Sequence, residues 1–249
     1  MKHKGILTVD IGNTCSKVTL YCEETPQQCG VISHDTSDTS LLSDLLSRPE
    51  VGGVALCQVG HDPCAIADML RKSSLPMLEL TPFTSSPMTI DYAGIGTLGV
   101  DRIAAAVGVM DDDAPRLIVD AGTAVTCDLV AGCHFIGGNI SPGLALRFRS
   151  LSHFTSRLPL VDTEGDIRDF GIDTESAIRS GVVNGLTAEI AASYHAALTR
   201  YDNIQLVLTG GDAMFLSTQL ERRSIPHRIA TDAVGRGLVR IFNYNNLKE

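Results

Sequence analysis

No run of about 18 or more apolar residues occurs in the 249-residue chain, which excludes a membrane-spanning helix from the expectations. The apolar stretch after Met1-Lys2-His3-Lys4 is short and is broken by Asp10, so it does not read as a signal peptide. Dense Lys/Arg runs are missing too. With 20 basic against 29 acidic residues the net charge is −9, which argues against nucleic acid or an acidic membrane face as the partner. Nor is there a Cys-x-x-Cys pair among the seven cysteines at 15, 22, 29, 57, 64, 127 and 133. A zinc site is therefore not expected, and the thiols read as small buried hydrophobes of a cytoplasmic protein. Low-complexity segments and linkers are absent as well.

What is present is a repeated turn. Gly5 to Lys17 reads as a buried strand ending on Asp10, followed by small, hydroxylated and amide residues and then a lysine. Gly12 lets a ligand approach the backbone, Asn13, Thr14 and Ser16 offer donors, and Lys17 offers a point charge. Asp10 would repel a phosphate unless it holds a bridging cation. An ordinary hairpin turn explains the same stretch taken alone. However, Val9-Asp10-Ile11-Gly12 recurs as Val119-Asp120-Ala121-Gly122, with alternating strands after both. The offset is too long for a solenoid, whose periods run about 20–50 residues, and it indicates a duplicated half-domain. In this alignment Lys17 falls on Cys127, so only the first copy keeps the positive charge.

Along the chain, Gly5–Asp10, Ser16–Cys22 and Gly30–His34 read as strands, the last after a turn at Pro26. A helix capped by Ser37 or Asp38 follows over Leu41–Leu46, ended by Pro49 and Gly52-Gly53. Val54–Val59 is a strand, Asp62-Pro63 opens a helix, and Met77–Leu80 is a short strand. Residues 81–100 carry too many prolines and glycines for a core element, and long loops of this kind are commonly functional. This loop delivers Asp101 to the start of a small-residue helix, where a helix cap beside a surface Arg102 is the plainer explanation. Asp111-Asp112-Asp113 marks the expected boundary between an N-terminal lobe, 1–114, and a C-terminal lobe, 115–249. The second half repeats the order, with a Gly-rich turn at 137–143, a helix from Asp173 or Thr174 to about Arg200, and Thr209-Gly210-Gly211-Asp212-Ala213 opening another. A strand running into such glycines exposes N–H groups suited to a phosphate or adenosine.

Five segments in order carry a resemblance: Asp10-x-Gly12-Asn13-Thr14-x-x-Lys17, Leu98-Gly99-Val100-Asp101-Arg102, Asp120-Ala121-Gly122-Thr123-Ala124-x-Thr126-x-Asp128, Gly137-Gly138-x-Ile140-x-Pro142-Gly143 and Thr209 to Ala213. Together they resemble the type III pantothenate kinases of the acetate and sugar kinase/heat-shock chaperone/actin superfamily, over nearly the whole chain. The resemblance implies an α/β, duplicated actin-like (ribonuclease H-like) fold whose two lobes each hold a mixed sheet flanked by helices. It also implies ATP-dependent phosphorylation of pantothenate to 4′-phosphopantothenate in coenzyme A synthesis. By position, Asp10, Ile11, Gly12, Asn13, Thr14, Cys15, Ser16 and Lys17 match the ATP phosphate motif and Thr123 an ATP contact. Asp101 matches the general base. Tyr92, Gly99, Val100, Asp101, Arg102 and Thr174 match pantothenate contacts. Asp10 is expected to hold Mg²⁺, and Asp120 a monovalent cation, K⁺ or NH₄⁺. A homodimer is implied, with pantothenate near its interface. One departure from the family is visible: Gly94 and Ile95 stand where many members carry Asn-Pro. Other kinases or phosphatases of the same fold, and a nucleotide-binding regulator without catalysis, are the competing classes. A base together with Lys17 speaks against the regulator.

Overall fold

A computed structural model describes residues 4–34, 39–60 and 65–246. The chain forms two compact units. The first comprises residues 1–111, 133–135 and 232–249, and the second 112–132 and 136–231.

In the first unit, strands β1 (Gly5–Ile11), β2 (Cys15–Cys22), β3 (Thr25–Ser33), β4 (Val51–Gln58) and β5 (Met77–Glu79) make one sheet in the order β3-β2-β1-β4-β5. The first three are antiparallel, and β4 and β5 run parallel to β1. Alternation sends Leu7, Val9 and Ile11 of β1 into a core with Leu42 and Leu45 of α1 (Ser40–Leu46) and Ile66 and Leu70 of α2 (Ala65–Arg71). Each such leucine withdraws enough apolar surface to contribute about 1.5–3 kcal/mol. The opposite face meets α7 (Ala233–Asn246): a Cβ on Gly53 would run into the Phe242 ring. Helix α7 in turn lies against α3 (Val100–Gly108) at backbone distance. A Cβ on Gly108 would strike the Ala233 carbonyl, and one on Gly237 the Ala104 carbonyl.

The second unit repeats the plan. Strands β7 (Arg116–Ala121), β8 (Ala124–Ala131), β9 (His134–Pro142), β10 (Gln205–Thr209) and β11 (Arg228–Ile229) follow the order β9-β8-β7-β10-β11. Again β7 and β8 are antiparallel while β10 and β11 are parallel to the first strand. Val119, Ala121, Val125 and Cys127 bury against α4 (Leu144–Phe154), α5 (Thr174–Leu198) and α6 (Ala213–Glu221) through Phe148, Val182, Leu186 and Leu216. The duplicated two-sheet α/β fold expected from the repeat is what the chain adopts.

Several local expectations differ. Pro26 lies inside β3 rather than at a turn. It is tolerated there because β3 is an edge strand, with the register irregular opposite it at Leu20/Tyr21. Gly52 and Gly53 belong to β4, where their lack of a side chain admits Lys4 and Phe242. Residues 137–142 continue β9 instead of turning. The loop before Asp101 contains a short strand β6 (Thr89–Ile90), paired with His134 and Phe135, and a 3₁₀ turn at Ile95–Thr97. The lobe expected at 115–249 loses its last helix, because α7 packs with the first unit. The boundary itself falls between Asp111 and Asp112, within the acidic turn. Of the free cysteines, Cys57 and Cys127 are buried as expected, but Cys15, Cys22 and Cys133 are exposed. The caps assigned to Ser37, Asp38, Asp62 and Pro63 lie outside the described residues, as does Cys64. Among the described residues no helix is long and apolar enough to cross a membrane.

Candidate active site

The first turn is closed by a hydrogen bond from the Gly12 N–H to the Cys15 carbonyl, 3.1 Å. Asn13, Thr14 and Cys15 are exposed at its tip. Behind it, Gly60 comes so close that a Cβ there would sit 2.8 Å from the Gly12 carbonyl oxygen. Two residues of the motif turn inward. Ile11 is in the apolar core, and buried Ser16 shares a 2.9 Å hydrogen bond with His34 Nε2. Both lie within interior strands of the sheet, so they anchor the turn and do not face its open tip. Asp10 and Lys17 are directly paired across β1 and β2, so they share one face of the sheet. The Lys17 ammonium is not a lone charge: it donates to Asp232 Oδ1 at 2.5 Å.

The second turn is one residue tighter, with the Gly122 N–H bonded to the Ala124 carbonyl at 3.0 Å. Asp120 faces Thr126, so the structural counterpart of Lys17 is Thr126 and not Cys127. Cys127 points into the core, where burial pushes its thiol up to about 12. Thr123 is exposed, and its carbonyl accepts from the Gly143 N–H at 2.9 Å. Glycines crowd this turn. A Cβ on Gly143 would collide with the Gly122 carbonyl. Gly210, at φ +91°, lies under Asp120 Oδ1 where only a residue without Cβ fits. The Asp212 N–H reaches the Ala121 carbonyl at 2.9 Å.

Asp101 sits in the first turn of α3 rather than on the loop before it, and Gly99 is the N-cap. Its Oδ1 accepts from the Arg102 N–H at 2.9 Å. Burial dominates its electrostatics and raises the carboxyl above the ordinary aspartate range, although the Arg102 hydrogen bond and charge pull the other way. Gly99 makes room for it: a Cβ there would lie 2.5 Å from that oxygen. Arg102 is no surface group. It is 5% exposed, with its guanidinium 5.8 Å from the Tyr92 ring centroid and 5.6 Å from that of Phe135. The two rings meet edge to face at 6.2 Å. Tyr92, Asp101 and Arg102 thus form one cluster on the first unit, and Val100 is buried beneath it. The Gly94-Ile95 departure is absorbed by the 3₁₀ turn, whose Thr97 hydroxyl and N–H both bond the Gly94 carbonyl at 2.8 Å.

Thr174 opens α5 on the second unit. The cap is Asp173, which closes a capping box with Ser176. Thr174 lines a groove of about 630 Å³ with Arg147, Ser150, Leu158, Ile178 and Gly181. Arg147 is fixed there by Glu189 at 2.6 Å and by the Pro142 carbonyl at 2.7 Å.

Among the described residues no group of three or more His, Cys, Asp or Glu side chains is placed to hold a metal ion. A hard divalent cation of the Mg²⁺ type nevertheless suits Asp10, because such ions keep several waters and take one or two carboxylates plus substrate phosphates. Asp232, bonded to Lys17, and Phe135, beside Arg102, are neighbours of motif residues that the motifs did not include. No spacing links position 232 to 17, or 135 to 102.

A sequence model of the family described as Type III pantothenate kinase matches residues 6–196. A relative described as type III pantothenate kinase, from Bacteroides fragilis (strain YCH46), is 37% identical over 244 residues, covering 96% of this chain and 98% of its own length. Among solved structures, a Campylobacter jejuni protein described in terms of the Baf family of transcriptional activators superposes with TM-score 0.63. It is 24% identical over 97% of this chain and 99% of that one. A ROK hexokinase from Thermus thermophilus superposes with TM-score 0.54 at 13% identity, covering 98% and 99%. At these identities the two structures speak for the fold alone.

Proposed function

This chain belongs to the type III pantothenate kinase family, and we propose how its residues divide that family's reaction. The reaction transfers the γ-phosphoryl group of ATP to the hydroxyl of pantothenate, giving 4′-phosphopantothenate, the first step of coenzyme A synthesis. Phosphoryl transfer of this kind depends on positioning and charge stabilisation more than on covalent chemistry.

Asp101 is the general base. The observation that carries this role is its half-buried carboxyl, raised in pKa by desolvation, at the head of α3 and next to Arg102, which packs on Tyr92. A carboxylate raised toward neutrality is a better proton acceptor at working pH, and such a base contributes about 10²–10⁴-fold. Gly99, Val100 and Tyr92 line the pantothenate side. Arg102 offers its donors to the substrate carboxylate while the two rings hold its plane. Thr174 supplies a further pantothenate contact from the head of α5. The turn from Asp10 to Lys17 binds the ATP phosphates, with Asn13, Thr14 and Lys17 donating from side chains, while Ile11 and Ser16 anchor the two strands that carry the turn. Thr123 contacts ATP from the second turn. Asp10 would hold Mg²⁺ and Asp120 K⁺ or NH₄⁺, which when bound would neutralise phosphate charge. The enzyme works as a cytoplasmic homodimer. Exposed Phe154, Leu160, Phe170 and Ile172, around α4 and the segment leading to α5, support a second copy as the cover for that apolar surface.

The test is Asp101→Asn with radiolabelled ATP against pantothenate, acetate and hexoses. Turnover with pantothenate should fall at least about 10²-fold while ATP affinity stays within a few-fold. Near-wild-type turnover would reject Asp101 as base, and label transfer only to acetate or a hexose would reject the substrate.

A further inference from the structure

Asp232 is clamped at both oxygens by one strand. Lys17 Nζ donates to Oδ1 at 2.5 Å, and the Tyr21 hydroxyl donates to Oδ2. Lys17 and Tyr21 are four apart on β2 and so project from the same face of the sheet. The backbone is built for the arrangement. Asp232 has φ +55°, a left-handed conformation uncommon for a residue with a Cβ. Such outliers persist only where their surroundings over-determine them, and they cluster at functional sites. Gly235 completes the clamp, since a Cβ there would lie 2.5 Å from Asp232 Oδ2 and 2.9 Å from the Tyr21 hydroxyl. The Asp232 side chain is 15% exposed and that of Lys17 39%. The carboxylate is therefore enclosed, while the ammonium keeps one open side. An ammonium has three N–H donors, and Asp232 occupies one.

We propose that Asp232 is a positioning residue for phosphoryl transfer: it fixes the flexible lysine stem so that the remaining Lys17 N–H donors face the nucleotide phosphates. A free Lys side chain surrenders much of its rotamer freedom when it is immobilised. With Asp232 in place, that loss is met on folding and not on binding ATP. Tyr21 fixes the carboxylate in turn, and Gly235 leaves it the space. The proposal rests on the reading that the first turn binds the ATP phosphates.

The experiment measures ATP and adenosine binding by calorimetry, together with KM for both substrates, in wild type, Lys17→Met, Asp232→Asn, Asp232→Glu, Tyr21→Phe and the Lys17→Met/Asp232→Asn double variant. Asp232→Asn should weaken ATP binding roughly tenfold, the scale of one charge-assisted hydrogen bond. Adenosine binding and KM for pantothenate should be unchanged, Asp232→Glu should recover part of the loss, and the double variant should bind ATP no worse than Lys17→Met alone. Equal loss for ATP and adenosine, or additive losses in the double variant, would reduce Asp232 to a tether for α7 and overturn the proposal. Tyr21→Phe keeps both charges, so it carries the same comparison, at smaller size, if Asp232→Asn does not fold. Undiminished ATP binding in Lys17→Met would instead sink the phosphate-turn reading beneath it.

Discussion

The two strand–turn–strand units around Asp10 and Asp120 share a sheet order, a strand polarity and a closing glycine hydrogen bond. They differ by one residue in the turn. That single residue changes what stands opposite the aspartate: Lys17 in the first unit, Thr126 in the second. The scaffold kept its topology because each sheet buries one face against helices and cannot slip without exposing it. The turn tips, which place exposed side chains outside the core, were free to diverge. Their surroundings diverged accordingly. The first aspartate has a lysine and a clamped Asp232 across its sheet face. The second has Gly143 and Gly210 pressed against its backbone.

Removal of the charge that only the first unit carries tests this contrast most severely. Lys17→Met should weaken ATP binding by at least roughly tenfold, whereas Thr126→Val, its structural counterpart, should shift it less than about twofold. Equal effects at both positions in a binding titration would dissolve the distinction. Crowding in the second unit gives the next largest effect. Gly210→Ala must hold φ +91° and force a Cβ against Asp120 and Ala121, which should cost on the order of 1–3 kcal/mol in denaturant unfolding. Gly12→Ala, at a site with a nearest neighbour at 3.2 Å and no positive φ, should cost less. The cation assignment sharpens the contrast further: replacing Na⁺ by K⁺ should raise activity of the wild type and leave Asp120→Asn indifferent. A wild type that ignores the swap would remove Asp120 from that role.

The pH profile separates both turns from Asp101. Burial raises its folded-state pKa, so the base is lost to protonation as pH falls through that raised value. The acid limb of kcat/KM should therefore lie above about 3.9, the ordinary aspartate value, and it should vanish in the residual activity of Asp101→Asn. For stability the sign is opposite. The folded state holds this proton more tightly than the unfolded chain, so the contribution of Asp101 to stability declines as pH rises from the ordinary value through the raised one.

The repeat of Val-Asp-x-Gly, the strand alternation of β1, β2, β7 and β8 and the helix periodicities were legible because each rests on neighbours in sequence. Asp101 was legible at a helix start, but not as a residue inside the helix with its carboxyl half-buried. Its apparent loop ends at Gly99, and the desolvation that sets its proton affinity comes from the packing around α3. Arg102 read as a surface cation, since nothing nearby in sequence announces that Phe135 and Tyr92 lie beside it. The prolines and glycines at 26, 52, 53 and 137 read as turns because their backbone preferences were weighed without partners. In the folded chain an edge position admits Pro26, and the Phe242 ring needs the space at Gly53.

Short-range patterns alone thus specified the duplicated α/β plan, the two aspartate turns and the family whose motifs they carry. Hydrophobic period and turn chemistry act over a few residues, and both are written directly in the order of side chains. The partners of the charges waited for the tertiary structure. Asp232 and Lys17 are 215 positions apart, and their meeting depends on α7 returning to the first sheet. That return is made by glycines at 108 and 237, which let two helices touch at backbone distance. Sheet register, in turn, set Thr126 rather than Cys127 opposite Asp120. The first turn, which as sequence offered one unpaired lysine for a phosphate, is in the folded chain a lysine already held by a carboxylate.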